Sequence, residues 1–175
     1  MESSNLDFYR NSIDYILSVQ NKDGSIPWEL EEKLDPWDHI EAAMGLSIAG
    51  KKYEAEKAFL WLSNSQLQDG SWYAEYLNSI PMTQRKEANF SAYIGTGLWH
   101  YYLIFKDKDF IENMLPTLSK ALDFVLSMQT ENGDIYWAYE EGKQILDDSL
   151  ITGSSSIYKS LECTAAILNL FDKPV

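Results

Sequence analysis

The chain is short of cysteine, of basic residues and of long apolar runs. Cys163 is the one cysteine in 175 residues. An intrachain disulfide needs two thiols and a thiolate zinc cage needs more, so both are excluded. Lys and Arg number 14 against 27 Asp and Glu, for a formal charge of −13. Binding to nucleic acid needs clustered cations to neutralise phosphates, so no nucleic-acid partner is expected. An anionic membrane surface is disfavoured for the same reason. No run approaches the ~18 apolar residues that cross a bilayer, so no membrane span is expected. The opening Met1-Glu2-Ser3-Ser4-Asn5 is polar, which predicts no secretory leader and a cytoplasmic location. Histidine is scarce too. His39 and His100 have no partner at metal-ligand spacing, so neither a metal nor another cofactor is expected. Glycine-rich phosphate loops and nucleophile elbows are absent from the sequence.

What the chain has is aromatic residues and a repeat. Phe, Trp and Tyr make up 14% of it, within a hydrophobic share of 45%. That share and length predict a single folded domain over residues 1–175. Aromatics at this level fill a core or line a pocket for flat or greasy ligands.

The repeat is Gln-x-x-(Asp/Asn)-Gly-polar, at Gln20 to Ser25, Gln66 to Ser71 and Gln129 to Asp134. A Trp follows each copy: Trp28, Trp72 and Trp137. Before each copy runs an amphipathic helical pattern, best formed by Ile111, Met114, Leu115, Leu118, Ala121, Leu122 and Val125. Pro116 inside this run is expected to open a new helix or to kink a longer one. The Asp/Asn-Gly pair is expected to end each helix at a glycine C-cap. After each copy comes a helix rich in small residues, such as Ala42, Ala43 and Gly45, then Ser91, Ala92, Gly95 and Gly97. Glycine in a helix costs ~1 kcal/mol against Ala, so close helix approach is expected there. The prediction is an all-α fold of three antiparallel hairpins at about 4–50, 52–106 and 109–172, small-residue helices inside and bulky ones outside. The connections are short and irregular or β-hairpin-like; Ile135 to Tyr139 is the strand-like stretch.

The Gln-x-x-Asp-Gly-Ser-Trp motif resembles the repeat of squalene/terpene cyclases and protein prenyltransferase β-subunits. Asp35-Pro36-Trp37-Asp38-His39-Ile40-Glu41 and Thr152-Gly153-Ser154-Ser155-Ser156 are similar to bacterial proteins labelled prenyltransferase-like. The chain then reads as the N-terminal half of such a protein. The resemblance implies an α/α toroid, a ring of helical hairpins around a cavity. The Asp-x-Asp-Asp acid of the cyclases is missing, since Asp147-Asp148 is only a pair. The Asp, Cys and His zinc ligands of the prenyltransferases are missing as well. Rings of this kind close with more than three hairpins. A homodimer mate, another chain or further residues are therefore expected to complete it.

In such a ring, the residues after each outer helix and at the start of each inner one share one end of the cavity. In the first hairpin these are Trp37, Asp38, His39 and Glu41. Asp38 and Glu41 read either as a helix cap with its capping box or as a carboxylate pair flanking a histidine for acid–base work. Glu87, Asn89 and Tyr93 follow in the second hairpin, and Ser155 and Tyr158 in the third. Alignment of Gly45-Leu46 with Gly97-Leu98 sets Glu41, Tyr93 and Tyr158 at equivalent central positions. The two Tyr rings read equally as core. The Ser run at Thr152 to Ser156 reads as an N-cap or as a phosphate or sugar cradle. Trp37 and Tyr76 are the ligand-like aromatics, whereas Trp72 reads as turn packing or as a cavity wall.

Three functions are compatible with these residues. The leading expectation is a prenyltransferase- or cyclase-like protein acting on an isoprenoid-type small molecule. The alternative is a carbohydrate-active toroid with two carboxylates across a cleft, roughly 5–9.5 Å apart, drawn from Asp38, Glu41, Glu87 and Asp148. The third is a non-catalytic half-ring that assembles through its open edges.

Overall fold

The computed structural model describes residues 8–140 and 148–172. Met1 to Asn5, Asp147 and the last three residues, on which some expectations rested, lie outside the described residues. Among the described residues six helices carry the fold: α1 (Arg10–Val19), α2 (Pro36–Ile48), α3 (Lys52–Ser65), α4 (Ala88–Phe105), α5 (Lys108–Ser127) and α6 (Ile151–Asn169). The small-residue helices α2, α4 and α6 lie side by side, α4 packing on both of the others. That forms the expected inner layer. A Cβ at Gly95 would stand 2.3 Å from Thr164 Oγ1 of α6, and one at Gly97 would stand 2.5 Å from Ile40 of α2. Small residues thus let the inner helices touch.

The tight antiparallel pairs are α2 with α3 and α4 with α5. The inner helices α2 and α4 thus pack both on a neighbouring inner helix and on the outer helix that follows each in the chain. Ile40, Leu46, Phe59, Leu62, Ile94, Leu98, Tyr101 and Ile111 form the main core between the layers, each at most 1% exposed. Full burial of such a side chain stabilises by ~1.5–3 kcal/mol. Pro116 neither starts nor breaks a helix. It sits exposed within an uninterrupted α5. No described helix is long and apolar enough to cross a membrane.

The repeated turn is a clamp. Gln20 Nε2 donates to Gly24 O in its own turn and to Glu54 O of the next outer helix, at 3.2 and 2.9 Å. Gln66 repeats both bonds, to Gly70 O and Thr117 O. The helices end at the Gln, which is extended in the first two copies. Glycine is not the cap that the sequence predicted. Gly24 and Gly70 take positive φ, +99° and +91°, inside the turn that follows. The next outer helix also packs directly against them: a Cβ at either would lie about 2 Å from the oxygen of Lys57 or Lys120 (2.2 and 1.9 Å).

The connecting segments pair with one another. Strands β1 (Tyr76–Leu77) and β2 (Ile80–Pro81) make a small hairpin. Strand β3 (Arg85–Glu87) pairs antiparallel with β4 (Ala138–Glu140), Lys86 opposite Tyr139. The strand-like stretch thus divides: Ile135 bridges back to Gln129 of its own turn, whereas Ala138 and Tyr139 join the connection of the preceding repeat. This stitching fixes the starts of the inner helices beside one another.

Candidate functional site

A cleft of about 370 Å³ opens among the starts of α2, α4 and α6. Trp28, Asp35, Trp37 and Asp38 form one side, Asn89 and Phe90 the second, and Thr152, Gly153 and Ser156 the third. A neighbouring cavity of about 270 Å³ has mainly apolar walls, among them Ile16, Val19 and Pro27, and shares Trp28 and Asp38 with the cleft. These two residues are the partition between the spaces.

The first inner helix starts at an Asp-Pro pair. Asp35 is the N-cap, extended at φ −119°, and its Oδ1 accepts from the Asp38 N–H at 2.9 Å. Pro36 follows at the first helical position, where a missing N–H costs nothing. The cap is therefore Asp35 and not Asp38, which the sequence reading had considered. That frees the Asp38 carboxyl for the cleft. The other oxygen of Asp35 accepts from Trp28 Nε1 at 2.7 Å, which orients an indole that stays 48% exposed. Lys33 Nζ lies 4.1 Å from the centre of that indole.

Asp38 holds its proton unusually well, with a pKa raised to about 6. Desolvation by the surrounding walls is the main cause, and the charges of Asp35 and then Glu41 add to it. A carboxyl with such a pKa is partly protonated near neutrality, which suits a general acid or base.

Trp37 and Tyr93 stack face to face, 3.8 Å between ring centres and 7° between planes. Glu41 Oε1 ties the pair together, accepting from Trp37 Nε1 at 2.9 Å and Tyr93 Oη at 3.2 Å. Burial and the Glu41 charge push the Tyr93 phenol up to about 12, so Tyr93 stays a donor. Glu41 and Tyr93, which the sequence set at equivalent positions of successive hairpins, are thus directly hydrogen-bonded. Tyr158 lies apart from them, 65% exposed. It borders another cavity with Asp134, Ser149 and Ser155. Ser155 returns its hydroxyl to Ile151 O. The serine that reaches the cleft is Ser156, whose buried Oγ has no hydrogen-bond partner.

Several predicted site residues are placed in the scaffold. His39 is fully buried: Nδ1 accepts from the Ile26 N–H at 3.1 Å and Nε2 donates to Ala58 O at 2.9 Å. Both ring nitrogens are engaged with main chain, and desolvation lowers the pKa to about 4, so the ring is neutral. Trp72 is 1% exposed and donates to Leu62 O. Tyr76 is 3% exposed, its hydroxyl accepting from the Tyr73 N–H and its ring against Trp61. Glu87 precedes α4, where Arg85 Nε donates to its Oε1 at 3.0 Å; burial still raises its pKa. Asn89 stands in the cleft as expected. Asp35 and Trp28 were not among the predicted site residues. The Asp-Pro signature of a capped helix start was the available signal for Asp35; Trp28 carried none beyond its exposure. Among the described residues, no group of three or more His, Cys, Asp or Glu is placed to hold a metal ion.

No protein-family model matches the chain. The MMP endo-(1,4)-3-O-methyl-alpha-D-mannosidase of Mycolicibacterium hassiacum is 38% identical over 165 residues, which is 94% of this chain and 46% of that protein. The chain thus spans about half the length of this curated relative. Among solved structures, a D-mannose isomerase superposes with TM-score 0.73 at 10% identity, over 96% of this chain and 48% of that one. An unsaturated glucuronyl hydrolase specific for heparin gives 0.70 at 16%, over 94% and 51%. The cellobiose 2-epimerase of Bacillus thermoamylovorans gives 0.67 at 17%, over 96% and 48%. At such identities the structures establish the fold, and the chain is half of an α/α toroid. The expected kinship with prenyltransferases and terpene cyclases, and with it the isoprenoid reading, is overturned. The curated relative is a mannosidase and the structural neighbours are named for sugars. The reason is visible in the turns: the residues of the Gln-x-x-Asp-Gly motif clamp helices and report on architecture, not on substrate.

Proposed function

We propose that this chain forms one wall of a glycan-binding cleft in a carbohydrate-active α/α toroid, with Asp38 as the acid–base group. The observation that carries the reading is the Asp38 carboxyl, exposed between two cavities and protonated up to about pH 6. A glycosidic bond lying across it would have sugar units on both sides, as internal cleavage of a polymer requires. Protonation of the leaving oxygen by Asp38 is the step this wall supplies. The mannosidase relative supports an α-linked manno-oligosaccharide as the substrate class. Trp28 and Trp37 offer ring faces to the sugar, and Asn89, Thr152 and Ser156 offer hydrogen bonds. Both cleft carboxylates, Asp35 and Asp38, belong to the same helix start. The second carboxylate that glycoside hydrolysis uses therefore comes from a facing wall, which a second half-ring supplies. The setting we propose is cytoplasmic, where the buried thiol of Cys163 stays reduced.

The test is incubation with (1,4)-linked 3-O-methyl-α-mannose oligosaccharides, scored by new reducing ends and by oligosaccharide binding. Cleavage is expected, with Asp38→Asn lowering the rate ~10²–10⁴-fold while binding persists. Undiminished cleavage by Asp38→Asn, or neither cleavage nor binding by the parent chain, overturns the reading.

A further inference from the structure

The three turns of the repeat differ in one respect. In the first, Gln20 reaches Glu54 O of the next outer helix and Gly24 is pressed by Lys57 O. In the second, Gln66 reaches Thr117 O and Gly70 is pressed by Lys120 O. The spacing is the same in both: the contacted residues stand twelve and nine positions before the next Gln. In the third, Gln129 donates to Gly133 O in its own turn. Nothing lies within 4 Å of a Cβ at Gly133, although its φ of +91° equals that of Gly70. The socket is built and, among the described residues, carries no helix.

The outer helices that fill the first two sockets present the same face to the preceding repeat. In α3 that face carries Ala58 and Trp61, and in α5 it carries Ala121 and Phe124, all of them at most 6% exposed. Counting back from Gln20 in the same register, α1 carries Ser12 and Tyr15. Small and aromatic recur at the same two positions. Yet Ser12 is exposed and Tyr15 is 48% exposed. Asn11 takes the place of Lys57 and Lys120. One molecule therefore holds an empty socket at the third turn and an unburied face of the kind that fills such sockets.

We propose that a second copy of this chain is the occupant. Its α1 docks in the third turn, and the reciprocal contact closes a two-fold ring with six inner and six outer helices. A two-fold ring makes the two contacts equivalent, so one complementary pair of surfaces suffices for closure. The solved toroids of which this chain covers 48–51% match a ring of two such halves. The inference rests on the half-ring fold and not on the sugar chemistry, so either can stand without the other.

The experiment is sedimentation velocity with native mass spectrometry on the 175-residue chain, from submicromolar to 100 μM in rough range. A dimer of closed stoichiometry is expected. Ser12→Arg places a long cation where Ala58 and Ala121 are buried and is expected to weaken the dimer ~100-fold or more. Ser12 is exposed in the single chain, so the variant keeps its fold, checked by circular dichroism. Asp14→Arg is the control: its counterparts Leu60 and Asp123 face solvent, and its dimer is expected to persist. A monomer at every concentration overturns the proposal. So does a dimer that Ser12→Arg leaves intact, or growth into open oligomers.

Discussion

Asp35 Oδ1 accepts the N–H of Asp38 at 2.9 Å, so the residue that caps the first inner helix is also the nearest source of charge on the cleft carboxyl. Capping fixes the geometry of the helix start. The same proximity sets the Asp35 charge beside Asp38, where it adds to the desolvation that raises the Asp38 pKa. Trp28 anchors the other oxygen of Asp35, so one side chain both orients the exposed indole and contributes to the raised pKa of Asp38.

Asp35→Asn separates these roles. The amide oxygen still caps the helix, while the charge beside Asp38 is gone. The titration midpoint of Asp38 is expected to fall below 6 and stay above its ordinary 3.8, because desolvation, the larger cause, remains. Carboxyl-carbon NMR across pH 3–8, in ~0.5-unit steps, measures it. An unmoved midpoint would show that the Asp35 charge does not reach Asp38.

His39 makes stability depend on pH. Its folded pKa is lowered from 6.5 to about 4, so the unfolded chain binds a proton that the folded chain refuses. The His39 contribution is present above pH 6.5 and is lost as pH falls toward 4. Thermal melts are expected to show declining stability through that window. His39→Ala leaves the Ile26 N–H without its partner, removes the bond to Ala58 O and is expected to cost ~2–4 kcal/mol at pH 7. It also removes this component of the pH slope. A slope equal to that of the parent would exclude His39 as its source.

The layered helices were legible in the sequence because each depended on a local pattern: apolar residues at helical spacing before Gln20, Gln66 and Gln129, and small residues in the helices that follow. The packing of each inner helix on the next inner helix, α2 on α4 and α4 on α6, is a contact between repeats that no local pattern encodes. In the cleft, Trp37, Asp38 and Asn89 were legible from their position at helix starts. Asp35 was obscured because Asp38 with Glu41 makes an equally good capping box on paper. His39 looked reactive beside two acids, and burial against Ile26 and Ala58 is a tertiary contact that no local pattern encodes. The substrate was the least legible. The most conspicuous motif serves the ring, and the residues that line the cleft form no repeat.

The repeat glycines give a graded prediction. At Gly70 a methyl group would meet Lys120 O at 1.9 Å and its carbon at 2.4 Å, both main-chain atoms of a packed helix. Neither the turn nor α5 can move without breaking the Gln66 bond to Thr117. Gly70→Ala is therefore expected to cost ~3–5 kcal/mol, the range of buried steric defects, or to prevent folding. Gly133 shares the positive φ of +91° but has open space around it. Gly133→Ala then carries only the left-handed backbone cost of ~1–2 kcal/mol, a Tm lower by roughly 2–8 °C at this chain length. Melts at submicromolar concentration compare the two in the single chain. If Gly133→Ala is as damaging there as Gly70→Ala, the third turn is already occupied, and the socket argument loses its basis. If it is mild there but abolishes the dimer at higher concentration, the added methyl group is meeting the carbonyl at Asn11 of the docked α1.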